Sequence, residues 1–164
     1  MSKQLPTFLI WAFRVFLAYL FLTASIGGWV WAEGGIVRAD GKLADPQRFL
    51  SQIRAFQLLH DPWNAWLAMG LPWLELFTGI ALLLPWTALG GSAVASGLLG
   101  MFIVGLASVQ MRGLEVDCGC FGGAGTATDT GIALAWRALW LGMAITCFCA
   151  LWKRASRQAH TESA

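Results

Sequence analysis

The sequence predicts an all-α integral membrane protein, a bundle of four spans with an additional interfacial helix between spans 1 and 2. Of its 164 residues, 57% are hydrophobic and only 12% are charged, against about 25% charged in soluble proteins. Several apolar stretches reach about 20 residues, enough to cross a hydrocarbon core of roughly 30 Å. The net charge of +2 and the absence of long basic runs exclude a nucleic-acid-binding protein.

Hydropathy places the four spans at about 7–31, 63–86, 89–111 and 130–152. Tryptophans cluster near these ends, as expected at the headgroup level. The first span is too long for a signal peptide core and contains Arg14, so we expect it to be retained. Residues 1–154 then form a single transmembrane domain with both termini on one side, and residues 155–164 are expected to be a disordered tail.

The connection between spans 1 and 2 contains the signals of a further helix over about 46–59. Asp45 is a good N-cap, and Pro46 suits the first helical position. Apolar residues recur at nearly helical spacing at Phe49, Ile53, Phe56 and Leu59, with basic and polar residues on the other faces. This basic amphipathic helix is either a lid in the membrane interface or an ordinary connecting helix resting on the spans.

The orientation is predicted from charged residues near the span ends. Lys153, Arg154 and Arg157 lie close to the end of span 4 and favour cytoplasmic termini in a bacterial inner membrane. The raw count of basic residues does not favour this orientation, because the opposite side also carries several: Arg38, Lys42, Arg48, Arg54 and Arg112. With the termini in the cytoplasm, the connection between spans 3 and 4 faces the periplasm, where disulfides persist.

That connection carries the most informative motif, Cys118-Gly119-Cys120. A disulfide closed over one residue is strained, and Gly119 relaxes the backbone. Strain raises the reduction potential and favours exchange with other thiols over structural stapling. We therefore predict that Cys118 and Cys120 are a catalytic redox pair. A purely structural bond and two inert thiols are the alternatives.

Three ionisable residues fall inside the spans, where they need partners or a functional reason. Glu75 lies near the middle of span 2, and Arg137 lies about two turns into span 4, close enough in depth to reach it. The pair either fixes helix packing or lines a polar pocket for a quinone or for proton transfer. Arg14 enters from the opposite side, where it either contributes to cofactor binding or snorkels towards the headgroups.

Other chemistries remain as alternatives. Cys147 and Cys149 lie about 27 Å along span 4 from the loop and point about 200° apart, so they do not complete a four-cysteine metal site. A soft-metal carrier with Cys118 and Cys120 at the entry and Cys147 or Cys149 at the exit is one further hypothesis. A non-catalytic assembly or maturation subunit that docks a partner through the glycine-rich loop is another.

The chain resembles the methylamine utilisation protein MauE family, within the DoxX-like group of four-helix membrane proteins. The resemblance covers about residues 14–151. It is carried by Gly41-Lys42, Asp45-Pro46 and Phe49, by Leu71-Pro72-Trp73-Leu74-Glu75 with Gly79, by Cys118-Gly119-Cys120-Phe121-Gly122, and by Arg137. It implies a redox-associated membrane component that works with a periplasmic thioredoxin-like protein and is linked to disulfide formation. This sequence has no Cys-x-x-Cys motif, so that activity would come from a partner.

Overall fold

The architecture is a bundle of long helices. The computed structural model describes residues 6–32, 35–113 and 130–162. Their elements in chain order are α1 (Thr7–Ile26), β1 (Gly27–Ala32), β2 (Gly35–Asp40), α2 (Pro46–Ala55), α3 (Trp63–Leu83), α4 (Ala88–Met111) and α5 (Thr130–Glu162). Helices α1, α3, α4 and α5 are each long and apolar enough to cross a membrane. The predicted multi-pass helical bundle is confirmed.

The helices pack as an antiparallel bundle. Helix α1 packs most extensively on α3 and α4 on α5, while contacts between α3 and α4 and between α1 and α5 close the bundle. Arg154 Nη2 donates to Thr7 Oγ1 at 3.2 Å, which joins the last part of α5 to the start of α1. We call that end of the bundle the termini side. The opposite end, where α1 and α4 end and α3 and α5 begin, is the loop side.

The first helix is shorter than the sequence predicted. It ends at Ile26, because Gly27 has a φ of 86°, and not near residue 31. Strands β1 and β2 follow as an antiparallel hairpin whose register runs from Gly27 opposite Asp40 to Ala32 opposite Gly35. Hydropathy alone does not distinguish an apolar strand from an apolar helix. The predicted span therefore included the apolar stretch after Gly27. The β-branched and aromatic residues of that stretch suit a strand.

Helix α2 begins where the sequence predicted. Asp45 Oδ1 accepts a hydrogen bond from the Arg48 backbone N–H at 3.0 Å, and Pro46 occupies the first turn. The helix ends at Ala55, and not near residue 59, because the chain turns at Gln57, which has a φ of 50°. Phe49 is buried, and α2 rests on α3 at the loop side of the bundle.

The last helix is longer than predicted. Helix α5 continues to Glu162, through most of the segment for which a disordered tail was expected. Hydropathy marks the end of the apolar stretch, but the polar sequence after Trp152 has no proline or glycine to stop the helix. The helix therefore extends beyond its apolar part.

The bundle core is mostly aliphatic with a few aromatic rings, while many large apolar side chains lie outside. The core includes Leu17, Phe21, Leu71, Leu82 and Leu99. Helices α1 and α3 approach so closely that a Cβ on Gly79 would lie 2.9 Å from Leu22 Cγ. Many large apolar side chains face outward, as lipid contact requires, among them Trp66, Trp73, Phe77, Val104 and Trp136.

Candidate functional site

The centre of the candidate site is the carboxylate of Glu75. It lies on α3 with a side-chain exposure of 0%, on the same helix face as Leu71 and one turn before Gly79. A carboxylate in this position is costly unless a partner compensates for the lost hydration. The residue that compensates the charge of Glu75 therefore bears on the function of the site.

That partner is Lys42, which enters the bundle from outside the spans. The Lys42 backbone N–H donates to the Ala24 carbonyl at 3.1 Å, and the Leu43 N–H donates to the Ser25 carbonyl at 3.0 Å. These bonds satisfy carbonyls in the last turn of α1, which the helix leaves without intrahelical partners. The segment after β2 is thus fixed against the end of α1, with the Lys42 side chain directed into the bundle.

Gly41 makes this close approach possible. A Cβ at position 41 would lie 2.2 Å from the Gly27 backbone N and 2.4 Å from the Ser25 carbonyl oxygen. Both atoms belong to the backbone and have little freedom to move. Only glycine fits here, so Gly41 is part of the apparatus that positions Lys42.

Lys42 and Glu75 form a buried ion pair. Lys42 Nζ donates to Glu75 Oε1, and the lysine side chain is only 5% exposed. The ammonium also lies 4.9 Å from the ring centroid of Phe49 and 5.1 Å from that of Phe102, within the range of cation–π attraction. Burial lowers the pKa of Lys42, whereas the charge of Glu75 and its hydrogen bond oppose that shift.

The second carboxylate oxygen of Glu75 is not used by the ion pair. Glu75 Oε2 is buried and has no hydrogen-bond partner among the described residues. Most buried polar atoms are paired, so such an atom calls for an explanation. Glu75 Oε2 can therefore accept a hydrogen bond from a ligand hydroxyl or a water, or it can take up a proton.

Arg137 adds a second positive charge to this region. It lies on α5, is 8% exposed, and its charge contributes to lowering the pKa of Lys42. The sequence predicted that Arg137 could be the partner of Glu75, because the two residues lie at a similar depth in their spans. In the described part of the chain the ion pair of Glu75 is with Lys42. The region therefore combines three buried charged groups from the β2–α2 connection, α3 and α5.

Lys42 was missed as a site residue because it lies outside the hydropathy spans. The sequence shows it among several basic residues of a long connection, and nothing in that pattern distinguishes it from Arg38 or Arg48. The signal that could have identified Lys42 is the Gly41-Lys42 pair, which lies shortly before the helix start at Asp45-Pro46. In the sequence it contributes only to the family resemblance. Such a glycine beside a charged residue is a sign of close backbone packing.

Arg14 is placed elsewhere and does not snorkel. It is buried, its Nε donates to the Leu82 carbonyl at 2.8 Å, and its Nη2 donates to the Leu83 carbonyl at 3.2 Å. These are orphan carbonyls at the end of α3, where a cation is favoured. Leu82 follows Glu75 by about 10 Å of helix rise. Arg14 is thus not brought to Glu75, and its role in cofactor binding stays a prediction.

The cysteines divide into two groups. Cys118 and Cys120 lie outside the described residues, so their role as a catalytic pair stays a prediction. Cys147 is buried and Cys149 is exposed, both as free thiols on α5. Arg14 lies close enough to Cys147 for its charge to act on the thiol, which places Cys147 in the termini-side half.

The root of the Cys118–Cys120 segment is described and is fixed to α2. Arg112, just after α4, donates from Nη1 to the Gln57 carbonyl at 3.3 Å and from Nη2 to the Phe56 carbonyl. These carbonyls follow the end of α2. The chain therefore leaves α4 on the loop side, beside α2 and above the half of the bundle that contains Lys42 and Glu75.

Comparison with known proteins identifies the family. The family described as "Methylamine utilisation protein MauE" matches residues 6–151 of the chain. The chain belongs to the MauE family. As a MauE-family protein it is 31% identical over 113 residues to the methylamine utilization protein MauE of Paracoccus denitrificans, an alignment that covers 68% of this chain and 53% of the relative.

Two further relatives carry the same name. MauE of Paracoccus versutus is 33% identical over 112 residues, covering 68% of this chain and 53% of the relative. MauE of Methylorubrum extorquens is 35% identical over 81 residues, covering 49% and 44%. This MauE-family chain spans about half the length of the curated relatives it matches. No solved structure matches it.

Proposed function

We propose that this MauE-family protein is a membrane thiol–disulfide redox protein in which Cys118 and Cys120 alternate between disulfide and dithiol. In the exchange step, a thiolate of the partner attacks one sulfur of the Cys118–Cys120 disulfide and forms a mixed disulfide. The second thiolate of the partner then attacks the partner's own sulfur in the mixed disulfide, which breaks the bond to this protein. The partner gains a disulfide, and this protein gains two thiols, so electrons and protons balance without a further reagent.

The observation that carries the proposal is the position of the buried Lys42–Glu75 pair beneath the root of the cysteine segment. A paired charge inside a membrane protein marks a functional region by default. Here it lies in the loop-side half, from which the chain departs towards Cys118 through Arg112. The segment that contains Cys118 and Cys120 therefore starts at the end of the bundle that holds the buried charges.

Restoring the disulfide requires an oxidant of two electrons. Oxidation of two thiols releases two electrons and two protons, and a membrane quinone takes up both to become a quinol. Glu75 is suited to handle a proton or a ligand hydroxyl, because its Oε2 is buried without a partner among the described residues. Lys42 pairs with the carboxylate, and the charge of Arg137 acts on Lys42.

The remaining assignments follow from the predicted orientation. We propose an inner-membrane location with cytoplasmic termini, so that Cys118 and Cys120 meet a thioredoxin-like protein or a thiol substrate in the periplasm. The names of the relatives suggest a place in methylamine utilisation. A component of that kind would oxidise two thiols of an exported protein to a disulfide.

Alkylation of the cysteines in native membranes tests the proposal. A maleimide that cannot cross the bilayer, applied with and without prior reduction, should label Cys118 and Cys120 from outside only after reduction. Cys149→Ser serves as the matched control and should leave this pattern unchanged. Labelling that never depends on reduction, or that occurs only from the cytoplasm, would contradict the proposal.

A further inference from the structure

A cavity of about 280 Å³ lies between α2, the α2–α3 connection, α3 and α4, on the loop side. Its walls are almost wholly apolar and include three aromatic rings, Phe49, Phe56 and Phe102. Gly105 of α4 forms part of the floor, where a Cβ would still be 3.7 Å from the nearest atoms of Leu58 and Phe56. A Cβ at position 105 would therefore make ordinary contacts with these two residues, and a longer side chain would take up part of the cavity.

Two polar side chains contribute to this mostly apolar wall, the half-buried Gln52 and the buried Asn64. Asn64 is 4% exposed, and its Nδ2 donates to the Leu59 carbonyl at 3.0 Å. That bond fixes the amide orientation, since only the NH₂ group can donate to a carbonyl. Asn64 Oδ1 is buried and has no hydrogen-bond partner among the described residues. Asn64 Oδ1 is therefore a buried acceptor that a ligand donor could satisfy.

Size and chemistry restrict the ligand. Pockets for drug-sized ligands are about 300–1,000 Å³, so this one accommodates a single substituted ring and the first part of a tail. Aromatic and aliphatic walls favour an apolar ring, and Asn64 Oδ1 requires a donor such as a hydroxyl. A ring that carries a hydroxyl donor and an apolar tail meets all three conditions.

We propose that the α2–α3–α4 cavity binds the ring of a membrane quinol, with a ring hydroxyl donating to Asn64 Oδ1. The choice of a quinol over other phenolic molecules rests on the proposed function, in which a quinone becomes a quinol when the dithiol is oxidised. This position differs from one between Glu75 and Arg137. The quinol ring lies beside Phe49 and Phe102, whose rings separate it from the Lys42 ammonium.

The cavity is also accessible to a membrane ligand. Leu58, Leu59 and Met101 contribute to its walls and are each nearly half exposed on the outer surface. Met101 lies on a membrane-spanning helix, and the other two follow the interfacial helix α2. A quinol tail can therefore pass between α2 and α4 into the lipid, while the ring remains inside.

Binding measurements with a short-tailed quinol test this assignment. Decylubiquinol and its oxidised form would be titrated calorimetrically into the purified full chain in lipid nanodiscs. We expect the quinol to bind about three- to tenfold more tightly than the quinone, as one net hydrogen bond provides. Asn64→Leu should abolish that preference. Equal affinities in the unsubstituted protein, or a preference that survives Asn64→Leu, would overturn the proposal.

A second pair of variants keeps the test valid if Asn64→Leu does not fold. Gly105→Leu places a side chain in the cavity and should weaken both ligands about tenfold or more, because a filled cavity cannot also hold a ring. Gly97→Leu is the matched control, since Gly97 lies on the same helix with open space around it. Unchanged binding in Gly105→Leu, or an equal loss in Gly97→Leu, would place the ligand elsewhere.

The test separates this inference from the proposed function. The Cys118→Ser, Cys120→Ser double variant cannot exchange disulfides but keeps the cavity, and we expect it to bind decylubiquinol as the unsubstituted chain does. If the cysteines prove inert while this binding is present, the redox function fails and the quinol site stands. If the cysteines cycle but Gly105→Leu binds normally, the site fails and the redox function stands.

Discussion

The two halves of the bundle treat buried charge in different ways. In the loop-side half, Lys42 binds Glu75, and one carboxylate oxygen has no partner among the described residues. In the termini-side half, Arg14 donates to the carbonyls of Leu82 and Leu83 at the end of α3. The first arrangement contains a carboxylate able to take up a proton or to bind a ligand, while the second joins a guanidinium to backbone acceptors.

The difference suggests which charges serve chemistry and which serve the fold. A guanidinium stays protonated in proteins, and its hydrogen bonds to a helix end satisfy groups that would otherwise be orphaned. A lysine–carboxylate pair is costly to bury, and an apolar replacement is often as stable. We therefore expect the loop-side charges to be retained for function and Arg14 to be retained for helix packing.

The largest expected effect comes from removing the close approach that positions Lys42. In Gly41→Ala the new Cβ would meet backbone atoms of Gly27 and Ser25 at 2.2–2.4 Å. We expect a loss of more than about 4 kcal/mol, or failure to fold, because backbone on both sides cannot move apart cheaply. Thermal unfolding in detergent, followed by circular dichroism, measures this.

Gly70→Ala provides the matched control for that variant. Gly70 lies on α3, and a Cβ added there would have no neighbouring atom within 4 Å. Alanine is also the better helix former. The unfolding temperature of Gly70→Ala should equal or exceed that of the unsubstituted chain. A Gly41→Ala protein as stable as Gly70→Ala would mean that the segment before Lys42 is not fixed to α1.

The second effect concerns the ion pair itself. Lys42→Met leaves the Glu75 carboxylate buried without its partner, which costs about 3–5 kcal/mol. Adding Glu75→Leu removes the uncompensated charge, so the double variant should recover most of the loss. Chemical denaturation of the purified protein measures both. If the double variant is less stable than Lys42→Met alone, the pair is needed for the fold and the contrast between the halves is lost.

The third effect tests the termini-side half. Arg14→Met removes two hydrogen bonds to carbonyls and should cost about 2 kcal/mol. Because Arg14 is remote from Glu75, we expect the reversible labelling of Cys118 and Cys120 to remain as in the unsubstituted chain. Arg14→Lys is the matched control that retains the charge. A change in this labelling in Arg14→Met that Arg14→Lys does not show would mean that the halves are coupled.

Hydropathy and cap signals account for most of the fold, and long-range contacts account for what they missed. The spans and the start of α2 follow from local patterns, the Asp45 cap above all. The partner of Glu75 does not, because it depends on Gly41 packing against the end of α1 in three dimensions. The same holds for Asn64. Its Oδ1 is identified as a candidate ligand acceptor only because the structure shows that Nδ2 donates to the Leu59 carbonyl.

The smallest expected effect comes from the exposed ion pair on the loop-side surface. Arg54 Nη2 donates to Asp61 Oδ2 at 2.8 Å, but the two side chains are 52% and 54% exposed. Arg54→Ala should cost no more than about 1 kcal/mol, because water and salt screen such pairs. Asp61→Ala and the double variant complete a thermodynamic cycle measured by denaturation. A coupling energy as large as that of Lys42 with Glu75 would show that location in the loop-side half, and not burial, determines the strength of a charge pair.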